Sequence, residues 1–479
     1  MVLTESLLIG GDRIGAKSKE HSALIDPATG ETWAMIAVGN ADDIDFAVRC
    51  AEQARISWRQ INSRDRAQMI HRLANLIRAN LESLAQLESR NVGKPIRDAR
   101  DEVNLAADCF DYYAGAINKV GGQTIPVAAS GTCLTFREPI GVCGLIAPWN
   151  FPIAITAWKV APALAMGNTI VLKPATQTPL TALKLGELAL EAGVPAGVFN
   201  VVPGAGSKAG EALVQHPLVR KVSFTGSTEI GTRVMKLAAD DIKRVTLELG
   251  GKSANLIFAD ADLEKAAPKS MWSVLGNAGQ DCCARSRILV DRKIYPEFLE
   301  RLSAQFEALK IGHPLDEATE IGCLISKEHR DRVRNYIEIG NAEGAKLLCG
   351  GTIPTGTELT NGAYLEPAIF AEVHAKMRIA QEEIFGPIVC VIPFETEEEA
   401  VAIANDSFYG LSGSIWTRDI SRALRVAKAI ETGVLSINTG HSVHLEAPFG
   451  GVKRSGLGRE LGLNALDHYS EFKSIFIAE

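Results

Sequence analysis

The residues best able to do chemistry lie in Asn277-Ala278-Gly279-Gln280-Asp281-Cys282-Cys283-Ala284. A thiolate is the strongest nucleophile among side chains, and it forms thiohemiacetals and thioesters. The polar Gln280-Asp281 pair, just past a helical pattern, sets Cys282 apart from the other cysteines. A free cysteine also serves as a small buried hydrophobe. A close Asp281 charge disfavours the thiolate, so the pair alone decides nothing.

Four strand ends supply further candidates. Asn150, in Ala147-Pro148-Trp149-Asn150-Phe151-Pro152, offers a neutral amide donor suited to a developing oxyanion. It also suits a turn or a helix cap. Lys173, in Leu172-Lys173-Pro174-Ala175-Thr176, suits ribose hydroxyls or a phosphate, and equally a solvated surface. Gly226 and Ser227, in Phe224-Thr225-Gly226-Ser227-Thr228-Glu229-Ile230-Gly231, open a helix whose free N–H groups suit a pyrophosphate. The spacing is not GxGxxG, and ordinary helix capping explains Ser227-Thr228 as well. Glu248 lies between leucines in Leu247-Glu248-Leu249-Gly250-Gly251-Lys252. Apolar neighbours raise a carboxyl pKa towards the range of a general base; an ion-paired glutamate is the alternative. The nine histidines are dispersed, with no HExxH and no fixed pairing.

The elements that must position these residues are α/β in rhythm. Asn40-Ala41-Asp42-Asp43 reads as a capped helix start, and the first 120 residues read as mostly helical. One helix is expected over about 64–91 and another over about 96–117. Residues 124–136 read as a hairpin punctuated by Gly131. From Gly141, apolar runs at 142–147, 169–172, 199–202, 221–224 and 244–247 alternate with helical patterns. That is the signature of a parallel, doubly wound sheet, which binds ligands outside the carboxyl ends of its strands. A second α/β stretch covers about 251–438, with strands at 288–290 and 389–392 and helices at 294–309 and 329–340. The tail, 468–478, alternates as a strand, and 353–361 reads as a surface turn.

Composition narrows the class. A chain of 479 residues implies about three lobes. Hydrophobic residues are 46% and charged residues 22%, ordinary for a soluble globular protein. Fifty Lys+Arg against fifty-seven Asp+Glu leaves −7, which excludes a basic surface for nucleic acid. Nine scattered cysteines with no CxxC pair argue against a disulfide framework or a structural metal and for a reducing compartment. No signal peptide is visible, and the uncharged run 139–158 carries Pro148, Asn150 and Pro152, which suits a buried strand-turn-helix better than a membrane span.

Taken together, these segments resemble the aldehyde dehydrogenase superfamily. The resemblance runs from Ile25-Asp26-Pro27-Ala28-Thr29-Gly30 to the tail. It is carried by Pro148-Trp149-Asn150-Phe151-Pro152, Lys173-Pro174-Ala175-Thr176-Gln177-Thr178-Pro179, Phe224-Thr225-Gly226-Ser227, Leu247-Glu248-Leu249-Gly250-Gly251-Lys252, Gly279-Gln280-Asp281-Cys282, Glu382-Glu383-Ile384-Phe385-Gly386-Pro387 and Pro448-Phe449-Gly450-Gly451. The resemblance implies hydrolytic, not CoA-acylating, oxidation of an aldehyde to the acid. Cys282 would be the nucleophile, Asn150 and the Cys282 N–H the oxyanion hole, and Glu248 the base for water. NAD or NADP would contact Trp149, Lys173, Thr176, Gly226, Ser227, Leu249, Glu383 and Phe385, with no metal required. Relatives that prefer NAD carry Glu where this chain has Thr176, so NADP tolerance is expected.

The aldehyde pocket would be lined by Phe151, Trp158, Asp281, Cys283, Phe449 and the 440–446 loop, widened at Gly276. An aromatic, medium-chain or amino-aldehyde is expected. CoA-acylating oxidation and a non-catalytic binding protein on the same fold are the alternatives. The resemblance further implies a dinucleotide-binding domain over 1–119 and 139–248, and a catalytic domain over 249–445. Residues 120–138 and 465–479 would form an oligomerisation element of a cytoplasmic homodimer or homotetramer.

Overall fold

The computed structural model describes residues 3–355, 359–441 and 443–478. Its centre is an eight-stranded sheet in the order Gly456–Leu457, Arg244–Glu248, Val219–Thr225, Val142–Ile146, Thr169–Lys173, Phe199–Val201, Leu7–Ile9 and Asp12–Ile14. The five middle strands are parallel, as the apolar runs predict. Strands Val142–Ile146, Thr169–Lys173 and Phe199–Val201 are buried throughout, as expected of a sheet covered by helices on both faces. The two ends are closed by antiparallel partners, which the sequence reading missed.

A second sheet of seven strands runs Lys346–Cys349, Ala368–Ala371, Ile388–Phe394, Arg287–Asp291, Ala254–Ile257, Ser412–Trp416 and Val434–Ile437. It is parallel except at Lys346–Cys349. Ser470–Ala478 pairs antiparallel with all of Gly131–Pro139, and Thr124–Ile125 adds a third strand. The tail strand is thus a sheet member, and it carries exposed Phe472, Phe476 and Ile477.

Two expectations are corrected. The first 120 residues are not mainly helical at their start: five strands precede Ala41–Gln60. They are three to six residues long and mixed in polarity, too short for a period-2 signal. The single helix expected over 64–91 is two, Ser63–Ala79 and Leu81–Val92. Asn80 separates them at φ −105, ψ 17, and its amide Nδ2 donates to the Leu76 carbonyl at 2.9 Å. The helix at Ala41–Gln60 starts where predicted, with Asn40 and Asp43 forming a reciprocal capping box. Of the turn expected at 353–361, residues 356–358 lie outside the described residues; a turn is present from Leu359.

Helix Pro152–Ala165 is buried on every face and joins the sheet to the N-terminal helices. Just beyond it, Asn168 binds three main-chain groups: it accepts from Gly141 N at 3.0 Å and donates to Ala163 O at 3.2 Å and Tyr469 O at 2.8 Å. It is fully buried. Asn168→Ala takes this partner from Gly141 N and Tyr469 O, at about 1–3 kcal/mol each, while Ala163 O keeps the Asn168 main-chain N–H at 3.0 Å. The expected result is a loss of at least about 2 kcal/mol, read from the urea midpoint. An unchanged midpoint would show that these bonds contribute nothing net.

Candidate active site

Four adjacent parallel strands end at one opening. Asn150 follows Val142–Ile146, Lys173 ends Thr169–Lys173, Gly226 and Ser227 follow Val219–Thr225, and Glu248 ends Arg244–Glu248. Cys282 comes from the turn before Arg287–Asp291 and Glu383 from the turn before Ile388–Phe394, both in the second sheet. The cleft between them measures about 580 Å³. It is lined by Trp149, Asn150, Lys173, Gly226, Ser227, Glu248, Leu249, Cys282, Glu383 and Phe385. Of the residues predicted to meet there, Thr176 alone is not in the wall. Its hydroxyl donates to Gly204 O at 2.9 Å, the same carbonyl that Lys173 Nζ reaches at 3.0 Å. The Thr176 hydroxyl proton is therefore already engaged.

The nucleophile turn is unusual in its backbone. Asn277, Ala278 and Gly279 follow one another with φ of 51°, 54° and 76°. Left-handed conformation costs a non-glycine residue about 1–2 kcal/mol. Hydrogen bonds hold the turn: Asn277 Nδ2 donates to Asn150 O at 2.8 Å, and Gln280 Nε2 to Asn277 O at 3.0 Å. The Asn150 amide donates to Gln280 O at 3.0 Å, which places it beside the cysteine. Asp281 Oδ1 accepts from Cys283 N at 2.9 Å. The Asp281 carboxylate and both sulfurs lie within 4.8 Å of one another. Cys283 first, then burial, then the Asp281 and Glu383 carboxylates push the Cys282 thiol well above its usual range. The thiol needs a base.

Glu248 is 4% exposed, and among the described residues neither of its carboxyl oxygens has a hydrogen-bond partner. Burial, then the Glu460 charge, raises its pKa well above 4.5. A carboxyl with free oxygens and a raised pKa is the form of a proton acceptor awaiting water. Gly450 makes room for it, since a Cβ there would lie 2.5 Å from Glu248 Oε1. Glu383 accepts from Gly251 N at 3.0 Å and fills the space a Gly250 Cβ would need. Burial raises Glu383 to about 7. Burial likewise lowers Lys173 to about 8, although its ammonium donates to Pro174 O and Gly204 O.

On the far side of Cys282, Trp158 and Phe449 meet edge to face at 5.3 Å. Phe151 and Cys282 pack against the same core that holds Trp158, Cys283 and Phe449. Sequence reasoning missed His329, whose ring meets Trp149 at 5.4 Å and whose Nε2–H donates to Phe385 O at 2.7 Å. Arg332 donates to its Nδ1 at 2.9 Å. Burial, then Arg332, depresses it to about 4, so it stays neutral. It also missed Lys94, which holds the Asn150 carbonyl, and the bracing roles of Asn277 and Gln280 within the turn. No residue-type signal marks them, because their roles depend on burial.

The aldehyde dehydrogenase family profile matches residues 14–475. The chain is 43% identical over 478 residues to a betaine aldehyde dehydrogenase of Bacillus subtilis (strain 168), covering 99% of this chain and 97% of that one. Its fold is similar to a crystal structure of betaine aldehyde dehydrogenase from Staphylococcus aureus in complex with NAD+, at a TM-score of 0.97 and 38% identity, covering 99% and 94% of the two chains. An NAD-dependent aldehyde dehydrogenase from Sinorhizobium meliloti matches at a TM-score of 0.97 and 42% identity, covering 99% and 95%. A thiol, an amide donor and a buried unpaired carboxyl around one cleft, on a sequence matched along nearly its whole length, place the chain in the aldehyde dehydrogenase family.

Proposed function

We propose that the protein oxidises an aldehyde to its carboxylic acid by the hydrolytic route, with NAD or NADP as acceptor. The observation that carries this is that Cys282, the Asn150 amide and the Glu248 carboxyl line one cleft, and that the Glu248 oxygens have no partner among the described residues. Cys282 gives up its thiol proton to water in the cleft, and its sulfur adds to the carbonyl carbon to form the oxyanion of a thiohemiacetal. The Asn150 amide and the Cys282 N–H stabilise the oxyanion; one such donor is worth about 3 kcal/mol. After oxidation the carbon is held as a thioester. Glu248 then takes a proton from water, which attacks the thioester and frees the acid.

The cleft fits a dinucleotide. It opens at the carboxyl ends of parallel strands, and Thr225 Oγ1 stands in its wall, buried and without a partner. Lys173, Glu383, Gly226, Ser227, Leu249, Trp149 and Phe385 would hold it. When bound, it supplies the hydride acceptor. The NAD+ in the Staphylococcus aureus relative supports NAD use, and Thr176 in place of a carboxylate supports tolerance of a 2′-phosphate. Two readings fall behind. CoA-acylating oxidation does not need Glu248, and a non-catalytic binding protein does not need a thiol, an amide and a base together.

For the substrate, Phe151, Trp158 and Phe449 offer rings and Asp281 a carboxylate, a combination that suits a cation or an aromatic group. A Cβ at Gly276 would meet open space, which supports a wide tunnel. The betaine aldehyde relatives favour the amino-aldehyde end of this class. We assign domains 1–119 with 139–248, and 249–445, because all strands of the two large sheets but Gly456–Leu457 fall within them. We assign 120–138 and 465–479 to contact with a second copy, because the exposed Phe472, Phe476 and Ile477 need cover. A homodimer or homotetramer in a cytoplasmic setting, where all nine cysteines are free, completes the reading.

Glu248→Gln should form one equivalent of NADH in a burst and then turn over at least about 100-fold more slowly. In the parent, turnover should rise as pH climbs through the raised Glu248 pKa, because the base form accumulates only then. The variant should lose that rise. Rapid quench and a pH series check both, and full turnover in Glu248→Gln, without CoA, would remove Glu248 from the mechanism.

Thr176→Glu should lower the ratio of kcat/KM for NADP to that for NAD. An unchanged ratio would defeat the cofactor argument. In a panel of benzaldehyde, octanal, betaine aldehyde and succinate semialdehyde, the last should be a poor substrate; its being much the best would overturn the pocket reading.

A further inference from the structure

Asn150 has two polar groups with different partners. Its side-chain amide points to the nucleophile turn. Its main-chain carbonyl accepts from Lys94 Nζ and from Asn277 Nδ2, each at 2.8 Å. Lys94 is 1% exposed. Taking an ammonium out of water costs several kcal/mol. Both Glu102 oxygens hold it, at 2.5 and 2.6 Å, and the Phe151 ring lies 4.5 Å from Nζ. Glu88 stands beside them. It accepts from Ile153 N at 2.9 Å and from Thr181 Oγ1 at 2.7 Å, which fixes the first turn of the helix after Asn150. Residues 150–153 are therefore gripped by one charged cluster from helices Leu81–Val92 and Ile96–Ala116. An ion pair serving stability alone needs only Lys94 and Glu102. The bond to the Asn150 carbonyl is additional.

We propose that Lys94 is a positioning residue for the oxyanion hole: clamped by Glu102, its ammonium fixes the Asn150 peptide, and with it the angle at which the Asn150 amide meets the reacting oxygen. This rests on the reading of Asn150 as an oxyanion donor. Lys94 acts in the addition and oxidation steps and leaves dinucleotide binding alone.

The test is a double-mutant cycle of Lys94→Met and Asn150→Ala. It reads the single-turnover rate of NADH formation with the fastest of benzaldehyde, octanal and betaine aldehyde. Lys94→Met should slow that step about 100-fold, the scale of a misplaced catalytic group, and leave the KM for NAD unchanged. The double variant should be no slower than Asn150→Ala, because Lys94 acts through Asn150. Lys94→Arg should recover part of the rate. Parent-like NADH formation in Lys94→Met, or losses that add in the double variant, would overturn the proposal. A parent-like rate in Asn150→Ala would instead remove the oxyanion role of Asn150 itself. If Lys94→Met does not fold, Glu102→Gln replaces it: its smaller loss should also vanish on top of Asn150→Ala, and an additive loss would overturn the proposal.

Discussion

Two sheets are joined at one carbonyl oxygen. The Asn150 carbonyl takes one hydrogen bond from Lys94, in the link between helices Leu81–Val92 and Ile96–Ala116, and one from Asn277, in the turn before Cys282. The Asn277 bond is one of those that keep Asn277 and Ala278 left-handed, beside the Gln280 bonds to Asn277 O. The next residue transmits the constraint. A Cβ on Gly279 would lie 2.3 Å from the Gly386 carbonyl carbon, so the turn sits directly against Gly386-Pro387. That segment follows Phe385, itself held at φ 60°, and Glu383. The amide donor, the sulfur and the acid that faces the dinucleotide cleft are thus set by one connected path.

The same path explains why so many acids sit in one small space. Glu248, Glu383 and Asp281 are all shifted upward, chiefly by burial, and Cys282 is shifted with them. Burial makes each charged form costly here. The Asp281 charge adds to the rise at Glu383, and the Asp281 and Glu383 charges add to the rise at Cys282. Behind Glu248, Lys159 reaches both Glu460 and Ser223, all buried. Lys159 and Arg459 oppose the Glu460 charge at Glu248 without cancelling it. Glu248 therefore stays a weak acid.

The central sheet was legible because a parallel strand covered on both faces has to be apolar for its whole length. Val142–Ile146 and Thr169–Lys173 announce themselves that way. The edges were not. Leu7–Ile9 and Gly456–Leu457 are two or three residues long and pair with partners far away in sequence. The break at Asn80 was hidden for a different reason. The leucine and isoleucine stripe runs on through Ile77, Leu81 and Leu84, and the turn is one residue long, so no loop composition marks it.

The chemistry-bearing residues were legible because their types are expensive where they stand. An acid between leucines, an asparagine before a proline-led helix and paired cysteines after Gln-Asp all ask for an explanation. The supporting residues ask for none. Lys94 follows a glycine and precedes a proline, which reads as an exposed turn. His329 sits in a helix of charged residues. Their meaning comes from what surrounds them in space: for Lys94 two buried carboxyls and a carbonyl, for His329 an arginine on one nitrogen and the Phe385 carbonyl on the other. Sequence pattern records which face of an element is apolar. It does not record that a polar side chain crosses that face to hold another segment, and in this site those crossings fix the angles on which the chemistry depends.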